Sequence, residues 1–186
     1  MHSQKSGKAH ILAVREHQET GNVKVILDAI IDLKANVAAR TNVIVDIKAD
    51  ALVEAQAEIG ALVADIELCS NTIASLKNLN VDANLKASIA AHVLVILRAI
   101  LKICASLTAK FGIQVFLELF AQLDLCLKGL LRALDACMDG FLVVQGKLLV
   151  EADLKALVEA KLIVCHDLFV LIRAAVGIIA GANVAL

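Results

Sequence analysis

Residues 111–131, FGIQVFLELFAQLDLCLKGLL, combine three phenylalanines with an almost continuous run of leucine, isoleucine and valine. When successive residues are placed about 100° apart, the polar residues of the region share an arc of roughly 160°, and the other roughly 200° is apolar. The segment therefore predicts an amphipathic helix whose apolar face is nearly twice as wide as a surface helix needs. The polar residues of this arc are Gln114, Glu118, Gln122, Asp124, Lys128, Arg132, Asp135 and Asp139.

The same segment does not have the pattern of a transmembrane helix. Glu118, Asp124 and Lys128 interrupt it, whereas a span needs about 20 mostly apolar residues. The longest stretch of the chain without Asp, Glu, Lys or Arg is residues 174–186, which has only 13 residues. We therefore expect no membrane span, while peripheral contact with a membrane stays open.

The composition of the 186-residue chain favours long helices and excludes several classes of partner. The chain is 60% hydrophobic, with a mean hydropathy of +0.80 and no proline. Its net charge of −1 gives no basic surface for nucleic acid, and its aromatic content of 3% includes no Tyr or Trp for base stacking. We therefore expect an all-α protein that does not bind nucleic acid.

Cap and turn residues divide the chain into an arm and one domain. Residues 1–21 are predicted as a polar N-terminal arm, and residues 22–186 as a single helical bundle. Asp82 is predicted as an N-cap, and Gly112 and Gly140 are predicted to end helices. The fold prediction is an all-α bundle of about five amphipathic helices without a sheet, at about 22–39, 43–77, 83–110, 113–138 and 141–180, the last interrupted near Glu151–Asp153.

The wide apolar faces of the last three predicted helices have two explanations. These helices either pack on several neighbours inside the bundle, or they expose apolar surface to a ligand or an interface. The residues predicted to contact such a ligand or interface are equally suited to a plain core. They are Phe111, Phe116, Phe120, Leu123, Leu127, Leu130, Phe141 and Phe169.

The residues that could carry chemistry do not form a recognisable site, so we expect no enzyme, no cofactor and no metal. No CxxC, CxxH or Glu-x-x-His spacing occurs. Cys165, His166 and Asp167 are adjacent, and neighbouring helical residues point in different directions, so a catalytic chain among them is not expected. The cysteines are interpreted as small buried hydrophobes, with cross-helix disulfides such as Cys104 to Cys126 or Cys137 as the alternative.

Two segments suggest a resemblance in composition and layout. VILDAIIDLKANVAA (residues 25–39) and ALVEAQAEIGALVADI (residues 51–66) precede the more apolar helices. This order resembles small secreted helical proteins of fungi. One group is the basidiomycete hyphal-surface proteins with a hydrophilic N-terminal half and a hydrophobic C-terminal half, and the other is the hydrophobic-surface-binding and mannoprotein family of ascomycetes. The resemblance implies secretion to the cell surface or wall as a mature form without a signal peptide, and binding of lipids or hydrophobic surfaces; without it, a cytoplasmic location is expected.

Three functional hypotheses follow. The first is a non-enzymatic amphipathic protein that binds a lipid, a fatty acid or a hydrophobic interface, driven by burial of apolar surface. The second is a structural homo-oligomer whose excess apolar surface forms a subunit interface. The third is a membrane-inserting or pore-forming helical protein that stays soluble until it opens.

Overall fold

The structure is a computed structural model, and it describes the backbone of residues 2–76 and 79–178 and the side chains of residues 21–76 and 79–178. Seven α-helices occur in this part of the chain. No strand occurs among these residues, so the all-α prediction is confirmed. A single 3-10 turn, Gln114–Phe116, leads into the fourth helix. The helices are α1 His2–Val45, α2 Leu52–Ala74, α3 Ala83–Phe111, α4 Leu117–Cys137, α5 Phe141–Leu148, α6 Glu151–Glu159 and α7 Ile163–Ala175.

The limits of α3 and the end of α4 agree with the sequence prediction because local signals set them, whereas α4 begins at Leu117, about four residues later than predicted. The Asp82 side chain accepts a hydrogen bond from the backbone N–H of Leu85 at 2.8 Å, which makes it the N-cap of α3. Gly112 (φ 82°) and Gly140 (φ 75°) adopt positive φ after α3 and before α5, where a side chain would be strained.

The predicted break at residues 40–42 is wrong, since α1 continues to Val45. Thr41 does not cap a new helix; its hydroxyl donates to the carbonyl of Val37 one turn earlier, at 2.8 Å. The predicted start of the first helix at residue 22 is also wrong, because the backbone of α1 is already helical from His2. The Lys110 ammonium, from α3, donates to the carbonyls of Ile44, Val45 and Ile47 and so satisfies the true end of α1.

The predicted count of about five helices is too low because the fifth predicted helix is three short ones. The expected interruption near Glu151 is present, but a second break at residues 160–162 was missed. Lys161 has φ 62° there, the left-handed conformation that glycine or asparagine usually supplies. A lysine gives no sequence signal for such a turn, so the sequence pattern predicts a continuous helix across it.

The core forms where each long helix packs on two neighbours. Helix α1 contacts α2 and α3, α2 also contacts α4, and α3 also contacts α5. From the described part of α1 the buried apolar side chains are Ile26, Ile30, Leu33, Val37 and Ile44, spaced three, four or seven residues apart as one helical stripe.

Two carboxylates of α4 accept backbone N–H groups at the start of the short helices α5 and α7. Asp124, in α4, is 4% exposed and accepts the backbone N–H groups of Val164 and Cys165 at 2.8 and 2.9 Å. Asp135 similarly accepts the N–H of Leu142, at 3.1 Å. These bonds satisfy N–H groups that the first turn of a helix leaves free. Asp124 belongs to the predicted polar arc of this helix, but unlike the exposed members of that arc it is covered by the start of α7.

Two arginines hold the junction between α5 and α6. Arg98 makes a two-pronged pair with Asp153, with both N–O distances at 3.0 Å. Arg173 is 7% exposed and donates to the carbonyls of Gly146 and Leu149 at the end of α5. The aliphatic part of Arg173 is therefore buried, and its guanidinium caps the C-terminal end of another helix.

Candidate functional site: the groove between α1 and α2

The eight residues predicted to contact a ligand lie mostly in the core. Seven of them are buried, and the rings of Phe116 and Phe120 stack with their centroids 5.3 Å apart. Phe111 is the partly exposed member, and it packs on Phe116 at 5.9 Å. Packing on several neighbours thus accounts for the wide apolar faces in this conformation. Contact of these side chains with a ligand stays a prediction that requires the bundle to open.

Some apolar side chains are exposed to water without any opening of the bundle. Among them, Leu68 lies beside a groove. Leu68, in α2, is 70% exposed and borders a groove of about 310 Å³ between α1 and α2. A second groove, of about 370 Å³ between α2 and α4, has a more polar lining that includes Glu67 and Gln122. The α1–α2 groove is therefore the stronger candidate for an apolar ligand. Its lining residues are Val25, Asp28, Ala29, Asp32, Leu33, Asn36, Asp65, Leu68, Cys69 and Thr72.

Helical spacing aligns the residues of one wall of the groove. On α1, Val25, Ala29 and Leu33 follow each other at intervals of four residues and supply one apolar wall. At Ala29 the two helices approach closely, since the thiol of Cys69 lies 3.5 Å from the Ala29 carbonyl oxygen. Ala29, which has only a methyl side chain, and Leu68 both line the groove next to this contact.

Carboxylates line the same groove. Asp65 is paired with Arg40, with 2.8 Å between Oδ2 and Nε, and Arg40 also pairs with Glu58 at 2.9 Å. The hydrogen bond that Arg40 donates to Asp65 is the largest influence on the Arg40 guanidinium and raises its pKa, although burial opposes this. Asp28 and Asp32 are exposed and have no cationic side chain within 4.0 Å among the described residues.

The thiol of Cys69 forms part of the floor of the groove without becoming a nucleophile. Burial, reinforced by the nearby charge of Asp32, raises the pKa of Cys69 to about 12. The thiol is therefore protonated at neutral pH, and a protonated thiol is a poor nucleophile. The arrangement can hold an apolar group beside negative charge, and it offers no activated group for covalent chemistry.

In the described part of the chain, the remaining cysteines and His166 do not combine into a catalytic or metal-binding group. All five cysteines are free, and four are buried, which confirms their interpretation as small hydrophobes. The Cys165 thiol points at the carbonyl of Asp124, whereas His166 pairs with Asp167 at 3.0 Å, so the three do not form a chain. Within the described residues, no three His, Cys, Asp or Glu side chains lie close enough to hold a metal ion.

Comparisons with known proteins give no relative for this chain. No protein-family model, no curated protein and no solved structure matches it.

Proposed function

We propose that this protein is a non-enzymatic binder of lipids or other amphiphiles, and that the groove between α1 and α2 receives the apolar part of the ligand. The observation that carries the proposal is the 70% exposure of Leu68 at the edge of a groove of about 310 Å³. A large apolar side chain left in water beside a concave surface loses unfavourable hydration when a ligand covers it.

The size of the groove suits one short alkyl chain. Ligand sites span roughly 300–1,000 Å³, so this one is at the small end. Burial of about 150 Å² of apolar surface would contribute about 4 kcal/mol, before the cost of immobilising the ligand. Binding of a single neutral alkyl chain should therefore be weak, with a dissociation constant of about 1 mM or higher.

The test is a titration with octanol, followed by two-dimensional amide NMR. We expect the largest shift changes at Ala29, Leu68 and their neighbours. Leu68→Gln should weaken binding severalfold because it removes the exposed apolar wall and keeps helix propensity. Leu171→Gln is the matched control, since Leu171 is 69% exposed on α7, outside the groove. Unchanged spectra, or equal weakening by both variants, would refute the proposal.

Exposed leucines away from the groove favour a homo-oligomer as a second candidate function. Leu125 on α4 and Leu171 on α7 are each more than half exposed, as large apolar residues at a subunit interface would be in a separated subunit. Light scattering over a range of concentrations tests this candidate. A strictly monomeric protein at all concentrations would exclude it.

Helix α3 supplies the observation that favours membrane insertion. Among the described residues it is the one helix with the length and apolar composition to cross a membrane, and half of its most apolar 18-residue stretch is buried in the bundle. Core helices of soluble proteins meet the same criterion, and Arg98 and Lys102 near the middle of α3 would each cost about 2.5–3.5 kcal/mol in a bilayer. Dye release from liposomes tests this candidate.

The resemblance to fungal surface proteins also suggests where in or around the cell the protein acts. A protein that covers apolar surfaces would act at a hyphal surface or cell wall, where such surfaces meet water. Localisation of the tagged full-length chain in its own cells tests this extension.

A further inference from the structure

We propose that the ligand of the α1–α2 groove is a cationic amphiphile, with a short alkyl tail along Leu68 and an ammonium group beside Asp28 and Asp32. This inference rests on the proposed function, because it names the chemical class of ligand for the same groove. It also chooses among the lipids and fatty acids that the apolar wall alone would accept.

The tail site exists independently of the carboxylates. Val25, Ala29 and Leu33 form one wall of the groove, and Leu68 rises from the other helix with most of its surface exposed. The volume of about 310 Å³ accepts an alkyl chain but is too small for a folded peptide segment. A small single-tailed molecule is therefore the occupant that the dimensions favour.

The charges of the groove select the head group. Three of the lining residues are aspartates, and none is a lysine or an arginine. The nearest cation that contacts this lining, Arg40, is already bonded to both Asp65 and Glu58. Asp28 and Asp32 lie one helical turn apart on α1, so a single ammonium group can interact with both. A ligand carboxylate would meet uncompensated negative charge at the same place.

The expected preference is modest because Asp28 and Asp32 are exposed to water. Exposed ion pairs contribute little each, and two such pairs correspond to about three- to tenfold in affinity. The preference should also fall as salt is added, because salt screens exposed charges over about 10 Å at 0.1 M.

Three ligands with the same tail separate charge from apolar contact: octylammonium, octanol and octanoate. Each is titrated below its micelle concentration into the full chain at neutral pH and low salt, with amide NMR as the readout. We expect octylammonium to bind about three- to tenfold more tightly than octanol, and octanoate to bind more weakly than octanol.

A pair of double variants locates the effect. Asp28→Asn with Asp32→Asn should abolish the advantage of octylammonium and leave the affinity for octanol unchanged. Asp46→Asn with Asp50→Asn makes the same change in net charge at exposed positions outside the groove lining, and it should keep the advantage. Circular dichroism before each titration confirms that both variants are folded.

The outcomes distinguish this inference from the proposal on which it rests. If octanol binds in the groove and octylammonium binds no more tightly, the cationic ligand is refuted and the amphiphile-binding groove stands. If both double variants lose the preference equally, net charge causes it and the inference is again refuted. If none of the three ligands shifts the groove amides, the inference and the proposed function fall together.

Discussion

The α1–α2 edge and the α4–α7 end of this bundle are held together by different kinds of contact. At the edge, long helices meet along apolar stripes, with one partly exposed ion cluster around Arg40. At the end, short helices are joined by buried side chains that bond to the backbone of other helices, such as Asp124 and Arg173. Apolar stripes tolerate a gap, so the edge can carry a groove, whereas side-chain-to-backbone bonds fix the positions of α5 and α7.

The largest effect should come from Arg173, since it is a buried cation that serves two carbonyls. Arg173→Met keeps an apolar side chain but leaves the carbonyls of Gly146 and Leu149 without this donor. Each unsatisfied buried group costs about 1–3 kcal/mol, so we expect a loss of about 3 kcal/mol in the free energy of unfolding. Urea denaturation measures this loss.

Arg132→Met is the control for that measurement. Arg132 is exposed, and no hydrogen bond or ion pair of its side chain occurs among the described residues. Its replacement should change the stability by less than about 0.5 kcal/mol. Equal effects of the two variants would mean that the α5–α7 junction depends on general packing and not on the arginine cap.

The second effect concerns Asp124, which anchors the start of α7. Asp124→Ala removes the acceptor of two backbone N–H groups, and we expect a loss of about 2 kcal/mol. Hydrogen exchange should accelerate at the amides of Val164 and Cys165, with a smaller change in α1. Asp139→Asn, at an exposed acidic position near the end of α4, should have almost no effect. Loss of protection throughout the bundle, at low denaturant, would contradict a local anchor.

The third effect is a dependence on pH that belongs to the same end of the bundle. Burial raises the pKa of Asp153, but the hydrogen bonds from Arg98 and Val150 and the charges of Arg98 and Arg173 outweigh it, so the pKa is lowered overall. A lowered folded-state pKa stabilises the fold above the unfolded value of about 3.9, and this contribution disappears as the pH falls through the folded-state pKa.

Asp153→Asn tests this contribution. At neutral pH the variant should be less stable by about 1 kcal/mol, a figure reduced because Arg98 is half exposed. The difference from the unchanged protein should shrink as the pH is lowered below about 4. Free energies of unfolding at several pH values provide the measurement. A difference that stays constant with pH would show that Asp153 acts by packing alone.

Local signals in the sequence predicted most of the helices. The features that the sequence did not predict depend on contacts between residues far apart in the chain. Asp82, Gly112 and Gly140 act on their own turns, so the limits of α3 and the start of α5 were readable. The end of α1 depends on Lys110, which is more than 60 residues away along the chain. The groove was not predicted either, because it arises from the close approach at Ala29 and Cys69, which no single stripe encodes.

The same reason explains the burial of Asp124 and the exposure of Leu68. A helical wheel gives the direction of a side chain, but burial also depends on where the neighbouring helix ends. Asp124 is covered because the start of α7 lies over it, and Leu68 is exposed because it lies at the edge of the α1–α2 groove, which no other described helix covers. A helical wheel can therefore place a side chain on the correct side of its helix and still predict the wrong degree of burial.

The smallest effect should be a gain in stability at the turn between α6 and α7. Lys161 holds a left-handed backbone conformation, which costs an ordinary residue about 1–2 kcal/mol, partly offset by the greater entropy that glycine has in the unfolded chain. Lys161→Gly should therefore stabilise the protein by about 0.5 kcal/mol. Lys155→Gly, within α6, should instead destabilise it by about 1 kcal/mol, because the backbone there is helical. If thermal denaturation shows a gain in stability for Lys161→Gly and a loss for Lys155→Gly, the bonds around α7 hold this turn against the local backbone preference. A loss of stability in both variants would mean that the backbone at Lys161 is not strained. The contrast with the α1–α2 edge would then rest on the carboxylates and arginines alone.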